Sequence, residues 1–341
     1  MLIYDMSYNE LQEFLVSKGF KKYRVDQVWN WLYKQKVKDF NDMKNLPKNL
    51  LLVLSENFHF NALELVLKNY SSDGTFKCLY ALHDGNLIES VLMTHSYGKS
   101  ICVTTQVGCN IGCTFCASGV LRKKRDLTAG EIIAQIIDTE LLLKERISHV
   151  VVMGIGEPFD NYKNLLKFLE TVNDDKGLAI GARHITVSTS GLVNKIKEYA
   201  DLELQVNLAI SLHAPNNEIR SKLMKINKAF PIEEIVDAIK YYINKTNRRV
   251  TIEYILIQEI NDSVENAKEL AKVLKGLNVY VNLIPYNEVK EADYKRSTRD
   301  RQVAFYDALM KNGIMATLRK EQGHDINAAC GQLRSTHIKE N

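Results

Sequence analysis

The first sixty residues carry apolar positions at helical spacing. Val25, Val28, Trp29, Leu32 and Tyr33 recur at i, i+3, i+4, i+7 and i+8, so they form one stripe of a helix. Pro47 can open another helix through Leu50 to Leu54. Residues 61–95 change period. Two β-prone stretches flank Ser72-Asp73-Gly74, and a second turn falls at Asp84-Gly85-Asn86; Asp-Gly turns predict antiparallel hairpins. From about residue 100, strand and helix patterns alternate. Strands are predicted at 100–106, 149–153, 184–189, 206–212, 250–257, 279–284 and 314–319. Helices are predicted at 128–144, 161–172, 231–245, 262–275 and 298–312, the first headed by a capping box of Thr128 with Glu131. Such alternation requires right-handed crossovers and a parallel sheet, an α/β fold. Six or seven units can close into a full or partial barrel or spread into an open sheet, and periodicity leaves these open. In each case ligands sit beyond the C-terminal ends of the strands.

This pattern divides the chain into a helical segment 1–60, a β-hairpin extension 61–95 and a core 96–341. With 45% hydrophobic and 25% charged residues, a sizeable core is expected and wholesale disorder is excluded. The opening MLIYDMSYNE lacks a basic segment followed by an apolar one, so no secretory signal is expected. No apolar run is long enough to span a bilayer, and a cytoplasmic location without a membrane partner is expected. The balance of 45 basic and 41 acidic residues, +4, permits an RNA partner without requiring one. Lys34, Lys36, Lys38, Lys44 and Lys48 read as a solvated helical face, with RNA contact as the sharper alternative.

The cysteines change the picture more than the charge does. Four of the six, Cys102, Cys109, Cys113 and Cys116, lie within fifteen residues; the others are Cys78 and Cys330. Gly108-Cys109-Asn110-Ile111-Gly112-Cys113-Thr114-Phe115-Cys116 follows the first core strand and brings three thiols onto one short loop in C-x3-C-x2-C spacing. Gly108 and Gly112 let the backbone turn around a bulky centre. An iron–sulfur cube usually takes four cysteines, so three leave one iron open to chemistry. Structural zinc is the alternative, but it wants four closed ligands, and no second pair at zinc spacing exists.

The aromatic before the last cysteine completes a motif that resembles the radical S-adenosylmethionine (SAM) enzymes. Further segments narrow the resemblance: Cys102-Val103-Thr104-Thr105-Gln106-Val107-Gly108-Cys109, Met153-Gly154-Ile155-Gly156-Glu157-Pro158, Ser188-Thr189-Ser190-Gly191, Ser211-Leu212-His213-Ala214-Pro215 and Ala328-Ala329-Cys330-Gly331-Gln332-Leu333. These are similar to the adenine-C2 RNA methyltransferases of RlmN type, over nearly the whole chain. Pro158 favours C2 over the related C8 enzymes, which usually lack that proline. The resemblance implies a radical SAM partial (β/α)6 barrel with a small N-terminal helical domain and a short β extension. It implies a [4Fe–4S] cluster on Cys109, Cys113 and Cys116, and SAM as second cofactor. Gly156, Glu157, Ser188, Ser211, Leu212, His213 and Asn282 carry over as SAM contacts. Read alone, Gly154 and Gly156 allow a ligand close to the backbone and Glu157 can accept from an ammonium, whereas each Ser, His or Asn at a strand end is more often a cap.

Adenine C2 lies between two ring nitrogens and is electron-poor, so it cannot attack a sulfonium methyl as a nucleophile; a carbon radical can add there. The resemblance implies that one SAM methylates Cys330 and a second yields the radical that activates this methyl for addition to C2. It assigns Glu89 as the base that removes the C2 proton and Cys102 as the thiol that attacks the Cys330 sulfur, forming a transient disulfide and releasing product. Taken alone, Glu89 is a charged residue near a strand start, and Cys330 a small buried hydrophobe.

The implied substrates are 23S rRNA in the peptidyl-transferase region and tRNA at the adenosine 3′ to the anticodon. An electron donor of flavodoxin or ferredoxin type and a monomeric state are also expected. Arg122, Lys123, Lys124 and Arg125 could grip phosphates, as could Lys295, Arg296, Arg299 and Arg301 with Tyr286 and Tyr294 nearby; solvated basic loops are the alternative. Asn327 and Glu288 depart from the family pattern, outside the proposed chemistry. A C8 methyltransferase and a non-catalytic metal-containing RNA-binding module are the competing functions.

Overall fold

A computed structural model describes residues 1–119, 122–289, 292–320, 322, 323 and 326. The N-terminal region holds α1 (Tyr8–Ser17), α2 (Tyr23–Asn30) and α3 (Lys48–Asn57). A capping box starts α1: the Ser7 hydroxyl accepts from the Glu10 N–H and the Glu10 carboxylate accepts from the Ser7 N–H. The predicted stripe of Val25, Val28, Trp29, Leu32 and Tyr33 is buried throughout. Pro47 caps the start of α3.

Four antiparallel strands follow: β1 (Leu63–Tyr70), β2 (Phe76–Leu82), β3 (Leu87–His95) and β4 (Gly98–Cys102). Both Asp-Gly turns lie where predicted, with Gly74 and Gly85 at positive φ. A separate two-stranded ribbon pairs β5 (Gln106–Val107) with β6 (Arg125–Asp126). The chain then continues as α4 (Ala129–Leu143), β7 (His149–Val152), α5 (Tyr162–Asn173), β8 (Ile185–Thr189), α6 (Val193–Asp201), β9 (Asn207–Ser211), α7 (Asn217–Leu223), α8 (Ile232–Thr246), β10 (Val250–Leu256), α9 (Val264–Leu274), β11 (Val279–Pro285), α10 (Arg299–Lys311) and β12 (Ala316–Leu318).

One ten-stranded sheet runs in the order β1-β2-β3-β4-β7-β8-β9-β10-β11-β12. Every neighbouring pair from β4 to β12 is parallel and bridged by helix. Its edge strands, β1 and β12, are not paired with each other, so the six strand–helix units form a partial barrel. The β extension is continuous with it through the β3–β4 pairing, with Val91 opposite Cys102.

The predicted strand 100–106 stops at Cys102. Beyond it the Thr104 N–H donates to Gln135 Oε1 at 2.8 Å and the Thr105 N–H to the Ile155 carbonyl at 3.0 Å, so α4 and the turn after β7 take these groups from the ladder. Eleven of the fifteen residues of α4 are buried, because this helix lies between the sheet and the N-terminal helices. Gly130 permits that packing: its N–H donates to Asp5 Oδ1 at 2.8 Å, and a Cβ there would stand 2.7 Å from Leu2 and 2.8 Å from Asp5. One apolar cluster extends from Leu2 to Ala316. Among the described residues no helix is long and apolar enough to cross a membrane.

Candidate active site

A cavity of about 660 Å³ opens at the C-terminal ends of the parallel strands. It is within the range of roughly 300–1,000 Å³ usual for small-molecule sites. Cys109, Cys113 and Cys116 line it, together with Glu89, Cys102, Gly156, Glu157, Ser188, Ser211 and His213. Ten of the candidate residues therefore converge on one space from four strands and three loops. Leu212 and Asn282 do not line it. The Leu212 side chain is in the apolar core, and Asn282 Nδ2 donates to Glu253 Oε2 at 2.7 Å. Cys330 and Asn327 lie outside the described residues.

The cysteine loop turns at Gly108 (φ 83°) and Gly112 (φ 67°). The Cys116 N–H donates back to the Cys113 carbonyl at 3.3 Å, and the Thr114 N–H donates to the Leu223 carbonyl at 2.9 Å. A Cβ on Gly119 would lie 2.4 Å from the Cys113 carbonyl oxygen, so only glycine lets the chain return this closely. Ile111, Cys113 and Phe115 pack on an apolar group of Leu223, Met224, Ile257 and Tyr286. In that dry setting burial pushes the Cys109 thiol up to about 12 and the Cys113 thiol well above its ordinary value. Such thiols ionise when a cation arrives to share their charge. Three soft donors with an apolar wall fit a [4Fe–4S] cluster. Among the described residues no group of three or more His, Cys, Asp and Glu is placed to hold a single metal ion.

Beyond the loop, Gly156 follows β7 at φ 112°, and a Cβ there would meet Gln106 Cβ at 2.6 Å. Glu157 is buried with both oxygens engaged: Oε2 accepts from the Ser190 N–H at 2.7 Å and Oε1 from the Phe159 N–H at 3.0 Å. Burial pushes its carboxyl up against these bonds. Each oxygen retains a lone pair for an incoming donor. Arg220 supports this wall from behind; it is fully buried and donates to the carbonyls of Ser190 (2.6 Å), Leu212 (3.3 Å) and Phe230 (3.0 Å). Ser188 and Ser211 face each other, Oγ to Oγ, at 3.3 Å. His213 Nδ1 accepts from the Ile255 N–H at 3.1 Å, and burial with the nearby Arg220 charge drops the imidazole to about 3, so the ring is neutral.

On the opposite wall, strand alternation places Glu89, Val91 and Met93 on the cavity face of β3. Lys77 and Cys102 occupy the same rung on either side of Val91. Lys77 Nζ lies 3.0 Å from Glu89 Oε2, and both side chains are buried, so Glu89 is held in a buried ion pair. Burial pushes the Cys102 thiol up to about 11, while Arg319 and Lys77 pull it back.

Lys77, Glu253, Arg220 and Arg319 were not singled out in the sequence. A Lys within Phe76-Lys77-Cys78-Leu79-Tyr80 and a Glu within Ile252-Glu253-Tyr254-Ile255 were the available signals: a charge inside an apolar strand marks a buried pair or a site.

The basic loop is largely tied internally. Arg125 forms a fork on Glu131 at 2.7 and 2.9 Å and reaches Asp84 at 2.6 Å. Lys123 bridges Asp126 and Asp160, each at 2.8 Å, and Lys124 donates to Asn86 Oδ1 at 2.9 Å. Arg122 is exposed. Nor is the lysine-rich helical region only a solvated face: Lys36 pairs with Glu140 at 2.6 Å, Lys38 with Asp138, and Lys34 donates to the Asp175 carbonyl. In the second group, Lys295 pairs with Glu288 and Arg301 with Asp262, while Arg296 lines the cavity.

Comparison with known proteins places this geometry. Residues 103–271 match the radical SAM superfamily, and residues 2–59 match the ribosomal RNA large subunit methyltransferase N-terminal domain. The chain is 69% identical to a probable dual-specificity RNA methyltransferase RlmN of Acholeplasma laidlawii, over 99% of this chain and 100% of that protein. Against the protein of the same name from Enterococcus faecalis it is 59% identical, over 99% of this chain and 97% of the relative. A radical SAM methyltransferase from Sphaerobacter thermophilus superposes with a TM-score of 0.94 at 42% identity, covering 98% of this chain and 99% of that one.

Proposed function

The chain belongs to the RlmN family of radical SAM RNA methyltransferases, and from that premise we propose that it methylates C2 of adenine in 23S rRNA, in the peptidyl-transferase region, and in tRNA, at the adenosine 3′ to the anticodon. The observation that carries this reading is the convergence of the three loop thiols, Glu89 and Cys102 on one cavity. A [4Fe–4S] cluster and SAM, when bound, would supply the electron, the radical and the methyl carbon. Cys109, Cys113 and Cys116 would hold the cluster. Gly156, Glu157, Ser188, Ser211 and His213 would hold SAM, with Leu212 and Asn282 bracing the wall behind them.

The remaining residues handle protons and sulfur. Glu89 Oε accepts the proton that leaves C2. Its carboxylate is fixed by Lys77 on a strand, which keeps the acceptor in place without a solvent shell. Cys102, one strand away, supplies the thiol that attacks the Cys330 sulfur once proton removal has occurred: the S–S bond forms as the bond from that sulfur to the adduct carbon breaks, and the carbon, left on C2, takes up a proton to become the methyl group. Burial raises this thiol to about 11, which favours its protonated form. The neutral His213 adds no charge to the cavity, and an apolar group of Leu223, Met224, Ile257 and Tyr286 backs the cysteine loop. A reductant of flavodoxin or ferredoxin type, a monomeric state and a cytoplasmic location complete the proposal.

Anaerobic reconstitution, incubation with SAM, reductant and bacterial RNA, and mass spectrometry of the nucleosides test it. The expected product is 2-methyladenosine. Formation of 8-methyladenosine would assign the C8 reaction instead, and intact SAM with unmodified RNA would leave a binding module.

A further inference from the structure

We propose that a second, basic pocket beside the reaction cavity binds a backbone phosphate of the RNA strand whose adenine enters that cavity; this rests on the RNA-methyltransferase reading above. The pocket, about 630 Å³, lies between the start of α10 and the end of β12. Arg296, Arg299, Arg319 and Lys320 line it, and no Asp or Glu does among the described residues. Arg299 and Lys320 are exposed and make no ion pair among the described residues. Arg296 and Arg319 also line the reaction cavity, so the two spaces share a wall.

Charge and position both select a phosphate on a polymer. Arg299 and Lys320 stand in this pocket with no ion pair among the described residues, and an anion placed between them relieves their mutual repulsion. Guanidinium forks match phosphate oxygens in two-point hydrogen bonds. The first turn of α10 adds free N–H donors, because the Thr298 side chain makes no cap bond. An adenine drawn out of its stack carries its flanking phosphates to the mouth of the cavity, where this pocket opens to solvent. The neighbouring cations cannot serve in the same way: Arg301 is held by Asp262 at 2.5 and 2.7 Å, and Lys295 by Glu288 at 3.3 Å.

The test is the salt dependence of RNA binding by the reconstituted holoprotein. An RNA hairpin carrying the reactive adenosine is titrated into wild type, an Arg299→Gln/Lys320→Gln variant, and a charge-matched control, Lys195→Gln/Lys240→Gln, whose lysines lie on α6 and α8. Arg299, Lys320 and Lys240 are exposed and Lys195 is partly exposed, so the variants should fold. The plot of log affinity against log salt should lose a slope of roughly 0.7 to 0.9 per phosphate contact removed in the pocket variant, and keep its slope in the control. A pocket variant with the wild-type slope, or a control that loses as much, overturns the pocket. Wild-type protein that fails to bind RNA at all overturns the underlying RNA reading instead.

Discussion

Lys77 Nζ and Glu89 Oε2 form an ion pair at 3.0 Å on adjacent strands, and both side chains are shut off from solvent. Removing a charge from water is costly, and the pair exists only because each partner compensates the other. Since Glu89 also lines the reaction cavity, the pair links the stability of the β extension to the chemistry.

Lys77→Met should therefore destabilise the protein by about 3–5 kcal/mol, because it leaves a buried carboxylate without its cation. Lys77→Met with Glu89→Leu should recover most of that loss while abolishing methylation. Chemical denaturation of the two variants checks this; equal stability of Lys77→Met and wild type would contradict the pairing.

The neutral His213 makes a second prediction. Its folded value of about 3 lies below the unfolded value of about 6.5, so the unfolded state binds the extra proton between them. The stability contributed is complete above pH 6.5 and is lost as pH falls toward 3. From pH 6.5 to 5 the loss due to this residue is about 2 kcal/mol. His213→Asn, which tolerates the φ of 58°, should flatten that acid limb in unfolding titrations at the two pH values.

Gly130→Ala should loosen the N-terminal region from α4. A Cβ there must displace Leu2 or the Asp5 backbone, and such overpacking costs about 1–3 kcal/mol. Thermal unfolding should show a lower midpoint, while Gly181→Ala, where a Cβ meets nothing, should not.

The fold was legible because β7 to β11 are apolar runs separated by amphipathic helices, a pattern written in local order. The cysteine loop was legible for the same reason: its spacing lies within eight residues. The strand through Val103-Thr104-Thr105 was overextended because β propensity cannot register that Gln135 takes the Thr104 N–H. Arg125 looked free for phosphate because its partners meet it only through the fold: Glu131 across the turn into α4, and Asp84, 41 residues away, from the β2–β3 turn. The buried charges of Lys77 and Glu253 depend on pairing across strands and on the cavity itself, neither of which appears in a window of sequence.

Accumulation of a covalent protein–RNA species in Cys102→Ala tests the central claim most directly, the claim that Glu89, Cys102 and Cys330 act in one cavity on an adenine joined to the protein. A denaturing gel with labelled RNA, run on the reconstituted variant with SAM and reductant, reads it. Without the Cys102 thiol the adduct cannot resolve, so a crosslinked band should build up, and it should be absent from Cys102→Ala/Cys330→Ala. Normal turnover by Cys102→Ala, or an equal crosslink in Cys330→Ala, would contradict the account.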